Sequence, residues 1–154
     1  AIDESFVLRW IETMLETNPH MISLADSTGM ATPFQIKRLL PDVLELTGDT
    51  PVVLHLHDTQ GLGMANLVAA FECGVRTFDT AFGGLGGCPY IPGASGNIVT
   101  EDVAVFFERE GIHTGIDVDA VAACSRDMAR YLGRDLPGKQ YRLLAPPSEQ
   151  ARSA

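Results

Sequence analysis

Two histidines, His55 and His57, stand one residue apart in "PVVLHLHD" (residues 51–58). The stretch is apolar and rich in branched side chains, so it reads as a strand, and residues two apart on a strand share a face. Both imidazoles can therefore reach one ion. Two neutral imidazoles suit a divalent transition metal, and a site completed by oxygens also accepts Mg²⁺ or Mn²⁺. The same spacing equally suits two histidines bonded to backbone or water at a strand end. Asp26 closes a second short apolar stretch, "MISLAD" (21–26). It is either an acid on the same rim or the cap of the turn that follows.

A thiol comes next. Of the three cysteines, Cys73 and Cys124 fall in helical segments and read as inert. Cys88 lies in "AFGGLGGCPYIPGASGN" (81–97), among small residues with little bulk to cover it. A thiol so placed can transfer a proton or attack, though an incidental loop cysteine has the same surroundings. The glycine pairs 83–84 and 86–87 allow the main chain to come close to a ligand. Asn97 ends the run; its amide oxygen is a hard donor for Mg²⁺ or Mn²⁺, or it serves the turn after Gly96. His20 and His113 have no partner at ligand spacing.

The elements that must hold these groups follow from periodicity. Residues 3–17 predict a helix through Phe6, Val7, Trp10, Ile11 and Met14, stopped at Asn18-Pro19. A helix over "TPFQIKRLLPDVLEL" has Thr32 as its cap, Pro33 in its first position, Gln35 completing a capping box and Pro41 as a kink or split. Further helices run from about Leu62 to Cys73, Thr100 to Glu110 and Asp117 to Leu132, with strands at 51–58 and 75–82. Strands alternate with helices and are apolar on both faces, the pattern of an α/β fold with a helix-covered parallel sheet. In such folds the C-terminal ends of the strands carry the ligand-facing residues. Here those are Asp26, His55, His57, Asp58 and Asp79, with the glycine-rich loop leaving the same rim.

The chain's 154 residues, 45% apolar and 20% charged, suit a soluble domain with a core. A formal net charge of −9 argues against nucleic acid or an anionic membrane as the main partner. Without an apolar run of about 20 residues no membrane span is expected, and three irregularly spaced cysteines suggest reduced thiols in the cytoplasm.

"HLHDTQG" (55–61) followed by "GLGGCPYIPGASGN" (84–97) resembles the 3-hydroxy-3-methylglutaryl-CoA lyase family of metal-dependent TIM-barrel enzymes. "ISLADSTGMATP" (22–33) and "TEDVAVFFEREGIHTGID" (100–117) extend the likeness over residues 20 to 135. Related synthases and aldolases share the H-x-H strand but usually lack the G-G-C-P-Y sequence. The resemblance implies the C-terminal part of a (β/α)₈ barrel, incomplete, with about three parallel strands, a partial barrel over 1–136; the composition of the remainder, with "LPG", "APP" and a small polar end, reads as an extended or disordered tail over 137–154. The resemblance also implies His55, His57 and Asn97 as ligands of Mg²⁺ or Mn²⁺, with His55 also shuttling a proton. Cys88 would assist proton transfer under a mobile, glycine-hinged lid, and Asp26 would orient the substrate. The implied reaction cleaves 3-hydroxy-3-methylglutaryl-CoA, or a related 3-hydroxyacyl-CoA, to acetoacetate and acetyl-CoA. The family's Arg-Asp pair and Glu of earlier strands have no counterpart here. The expectation is therefore little activity for these residues alone, with an N-terminal half-barrel or a further copy completing the site. A related aldolase or condensing synthase, or a non-catalytic barrel fragment that binds a partner, is the alternative.

Overall fold

The computed structural model describes residues 3–87, 93 and 95–144. The chain divides into two compact units, residues 1–79 and 80–154.

The first unit opens with α1 (Glu4–Leu15), started by the Asp3 carboxylate, which accepts from the Ser5 N–H at 2.8 Å. Strand β1 (Ile22–Asp26) leads into α2 (Pro33–Thr47). The capping box forms: Thr32 Oγ1 accepts from the Gln35 N–H at 3.3 Å, and Gln35 Oε1 accepts from the Thr32 N–H at 2.9 Å. Pro41 does not split α2, which runs unbroken through it. Leu40 and Val43, on either side of the proline, are both fully buried, so packing holds the two halves in one helix. Strand β2 (Val52–Leu56), α3 (Gly63–Cys73) and β3 (Thr77–Asp79) complete the unit.

The three strands are parallel, in the order β1-β2-β3. Ile22 pairs with Val52 and Ala25 with His55; His55 pairs in turn with Asp79. Only β2 is apolar and buried on both sides. In β1 and β3, Ser23, Ala25, Thr77 and Asp79 are exposed, a departure from the two-faced pattern expected. The core lies on the opposite face, where Ile22, Val52, Leu54 and Leu56 are buried.

The second unit is held by α4 (Thr100–Arg109), α5 (Val118–Leu132) and a short α6 (Gln140–Leu143). A 3₁₀ turn at Phe82–Gly84 precedes them, and Ala81 and Val99 form an isolated parallel bridge. Asp117 caps α5, accepting from the Ala120 N–H at 3.0 Å. Residues from 137 do not simply trail off. Tyr141 of α6 is buried with Leu136 and Ala122, and its hydroxyl accepts from the Leu136 N–H at 3.1 Å. The aromatic ring anchors what composition alone marked as a tail; the part of that tail at 145–154 lies outside the described residues.

Candidate metal centre and catalytic rim

Alternation along β2 sorts the site from the core. Val52, Leu54 and Leu56 take the helix-covered face, which leaves His55 and, one step past the strand, His57 on the other. Their Nε2 atoms converge to 3.1 Å. At that distance one ring donates an N–H to the other; two ligands at right angles on one ion, each about 2.1 Å from it, stand about 3.0 Å apart, so the spacing also suits a divalent cation that replaces the shared proton. On the far side of His55, Nδ1 lies 3.4 Å from Oδ2 of Asp79. A carboxylate behind a histidine fixes the ring's tautomer and orientation. His57 is buried, and its Nδ1 has no hydrogen-bond partner among the described residues.

Asp26 is placed differently. It pairs in register with Leu56, so its side chain leaves the sheet on the face opposite His55. Its carboxylate accepts from the N–H of Met30 at 3.2 Å, from the N–H of Ala31 at 2.9 Å and from the Thr28 hydroxyl at 3.2 Å. Asp26 is thus the organiser of the β1–α2 loop. Asp58, also on the rim, accepts from the Gly63 N–H at 2.7 Å and fixes the start of α3.

The two motif loops of this rim are locked together. A Cβ on Gly29 (φ +64°) would lie 2.8 Å from the Thr59 backbone nitrogen and side chain. Only glycine admits that approach. Asn66 Nδ2 adds a bond to the Ala31 carbonyl at 2.8 Å. Sequence reading missed both links, because neither partner is close in the chain.

In the second unit, Asn97 Nδ2 donates to the Leu85 carbonyl at 2.8 Å. The tether leaves Oδ1, a buried amide oxygen, without a partner among the described residues. An unsatisfied buried acceptor is costly, and it is the donor type that Mg²⁺ and Mn²⁺ prefer. Gly96 beside it has φ +103°, and a Cβ there would stand 2.6 Å from the Gly84 carbonyl oxygen. At its base, then, the glycine-rich run is a close backbone packing rather than a set of hinges. Cys88 lies outside the described residues.

Glu101 stands in the first turn of α4, where the helix dipole favours an acid. It is fully buried, accepting from the Ser125 hydroxyl at 2.7 Å and from the Gly83 N–H at 3.1 Å. Asp102 likewise accepts from the Gln140 N–H at 2.8 Å, tying α6 to α4. Among the described residues no group of three or more His, Cys, Asp or Glu side chains forms a metal cluster. No helix among them is long and apolar enough to cross a membrane.

Parallel strands joined through helices, with a histidine pair at the C-terminal rim, define a portion of a TIM-barrel protein. Residues 1–128 match the HMGL-like family, and the chain belongs to it. It is 48% identical over 116 residues to the (R)-citramalyl-CoA lyase of Chloroflexus aurantiacus, a match covering 75% of this chain and 37% of that one. It is 35% identical over 137 residues to a hydroxymethylglutaryl-CoA lyase of Bacillus subtilis, covering 89% and 46%. A solved HMG-CoA lyase from Acinetobacter baumannii, in complex with coenzyme A and 3-methylmalate, superposes with a TM-score of 0.85 at 49% identity, covering 90% of this chain and 45% of that one. The chain thus spans between a third and a half of the length of these relatives.

Proposed function

We propose that the protein is a carbon–carbon lyase acting on 3-hydroxy-3-methylglutaryl-CoA, with Mg²⁺ or Mn²⁺ held by His55, His57 and Asn97. The observation that carries the reading is the pair of Nε2 atoms 3.1 Å apart at the end of β2, in a member of the HMGL-like family. A divalent ion so held supplies Lewis-acid stabilisation of the substrate alkoxide.

The chain's own residues do the rest. His55 would relay the proton of the tertiary hydroxyl through Nε2 only while that nitrogen is off the ion, and the Asp79 carboxylate 3.4 Å from Nδ1 would then stand beside the charged ring. The bond between the carbinol carbon and the carbon beside the thioester then breaks. Its electron pair passes to the latter, giving the enolate of acetyl-CoA, while the carbinol carbon becomes the ketone of acetoacetate. Cys88 donates the proton that converts the enolate to acetyl-CoA. Asp26 acts indirectly, by holding the shape of the loop after β1.

A smaller substrate is a second reading, supported by the 48% identity to a citramalyl-CoA lyase. The same bond cleavage on that substrate releases a different keto acid. The test grafts residues 3–144 into the corresponding part of the Bacillus subtilis relative and identifies the products from each thioester. Acetyl-CoA and acetoacetate from the hydroxymethylglutaryl thioester, lost in a Cys88→Ala variant that still binds Mn²⁺, is the expected result. Cleavage of the citramalyl thioester alone moves the assignment to the second reading; no acetyl-CoA from either overturns the lyase.

A further inference from the structure

The two histidines of the rim are held by unequal means. His55 has the Asp79 carboxylate 3.4 Å behind its Nδ1. His57 meets His55 through Nε2, and its own Nδ1 is buried without a partner among the described residues. A ligand ring is ordinarily oriented by a carboxylate or carbonyl behind it. Where none stands, the ring takes its direction from its backbone and its packing. His57 lies one residue past the end of β2, so its backbone belongs to the loop that leads into α3.

That loop is fastened at three points. Asp58 accepts from the Gly63 N–H at 2.7 Å and closes the loop on the start of α3. Thr59, two residues after His57, comes so near Gly29 that a Cβ on the glycine would stand 2.8 Å from the Thr59 nitrogen. Gly29 belongs to the β1–α2 loop, whose shape Asp26 sets through the Met30 and Ala31 N–H groups. The third point is Asn66, in the first turn of α3. Its Nδ2 donates to the Ala31 carbonyl at 2.8 Å, which ties α3 to the loop that braces Thr59.

Folding alone does not account for an amide at this position. Asn66 is fully buried, as are Leu67, Ala69 and Ala70 of the same helix. Its Oδ1 has no partner among the described residues, and a buried polar atom left unpaired lowers stability. The bond it does make fixes one loop against another. We propose that Asn66 is a positioning residue for His57: by holding the β1–α2 loop to α3, it keeps Thr59 braced and the His57 backbone set so that Nε2 converges on Nε2 of His55. The inference rests on the reading of the histidine pair as a metal site, and not on which thioester is cleaved.

The barrel carrying residues 3–144 in the Bacillus subtilis relative serves for the test, with Mn²⁺ alone as the probe. Asn66→Leu keeps the branched shape and removes both polar atoms. Asn66→Ser, too short to reach Ala31, takes its place if the leucine variant does not fold. Either should weaken Mn²⁺ binding by about tenfold, with urea titration confirming that the variant is folded under the binding conditions. An amide with a structural role only would lower the urea midpoint and leave the affinity of the folded protein unchanged. A double-mutant cycle locates the effect. Combined with Asp79→Asn, which acts on His55, the Asn66 substitution should keep its full effect; combined with His57→Ala, it should lose most of it. Unchanged Mn²⁺ affinity in the folded Asn66 variant overturns the proposal, as does a full effect in the His57→Ala background. If the unsubstituted barrel takes up no Mn²⁺, the metal reading falls and this inference with it, a result distinct from a bound ion indifferent to Asn66.

Discussion

Two histidines on one face of a strand become a candidate ion site only when their nitrogens converge, and here the Nε2 atoms do. Asp79 completes the local unit from the neighbouring strand, opposite His55 in the register. A carboxylate of this kind orients the ring of the ligand it faces. In the grafted barrel, Asp79→Asn should therefore weaken Mn²⁺ binding about tenfold, and His57→Ala should weaken it more, both read by titration. An unchanged affinity in Asp79→Asn removes the aspartate from the site. Glu101 makes the opposite case, a buried carboxylate whose partners Ser125 and Gly83 are structural. Its replacement by alanine strands the Ser125 hydroxyl and the Gly83 N–H. The expected loss is about 2 to 3 kcal/mol in urea unfolding, with Glu101→Gln losing less because an acceptor remains.

At the scale of elements, local signals carried furthest. The capping box at Thr32 and Gln35, the proline at the start of α2 and the glycine after α3 act within one turn of chain, so they were legible as residues. Pro41 was legible too, but that it leaves α2 unsplit was not, because the burial of Leu40 and Val43 outweighs one lost helical bond. The strand set the histidines' face, while the opposite orientation of Asp26 emerged only with the β1–β2 register. Links such as Gly29 against Thr59 and Glu101 against Ser125 depend on which loops meet. Periodicity carries no trace of that. Met14, Trp10 and Phe6 illustrate the same boundary: the sequence marks them as apolar, and only the fold shows that they remain open.

At the scale of the whole molecule, the chain is acidic, with a net charge of −9, while the proposed substrate is an anionic thioester. Attraction must then be local, which is a further reason to place a cation at the histidine pair. The chain also spans less than half the length of the relatives it matches. Residues 1–154 alone should accordingly release acetyl-CoA from the hydroxymethylglutaryl thioester no faster than a buffer blank containing Mn²⁺. Turnover at the level of the full-length relative, in a sample verified by intact mass, would falsify this.

The alternation of β2 has one more consequence, for how the chain can change over time. His55 and His57 face away from the helices because Val52, Leu54 and Leu56 face toward them, and the turn at 48–51 sets where that count begins. Substitutions in the turn leave the parity intact. Adding or deleting one residue there offers the strand a choice between slipping by a step, which buries both imidazoles among leucines, and bulging to absorb the change. Lineages of this protein can therefore change the residues of that turn more readily than their number, Gly48 excepted, because its φ of +54° favours glycine.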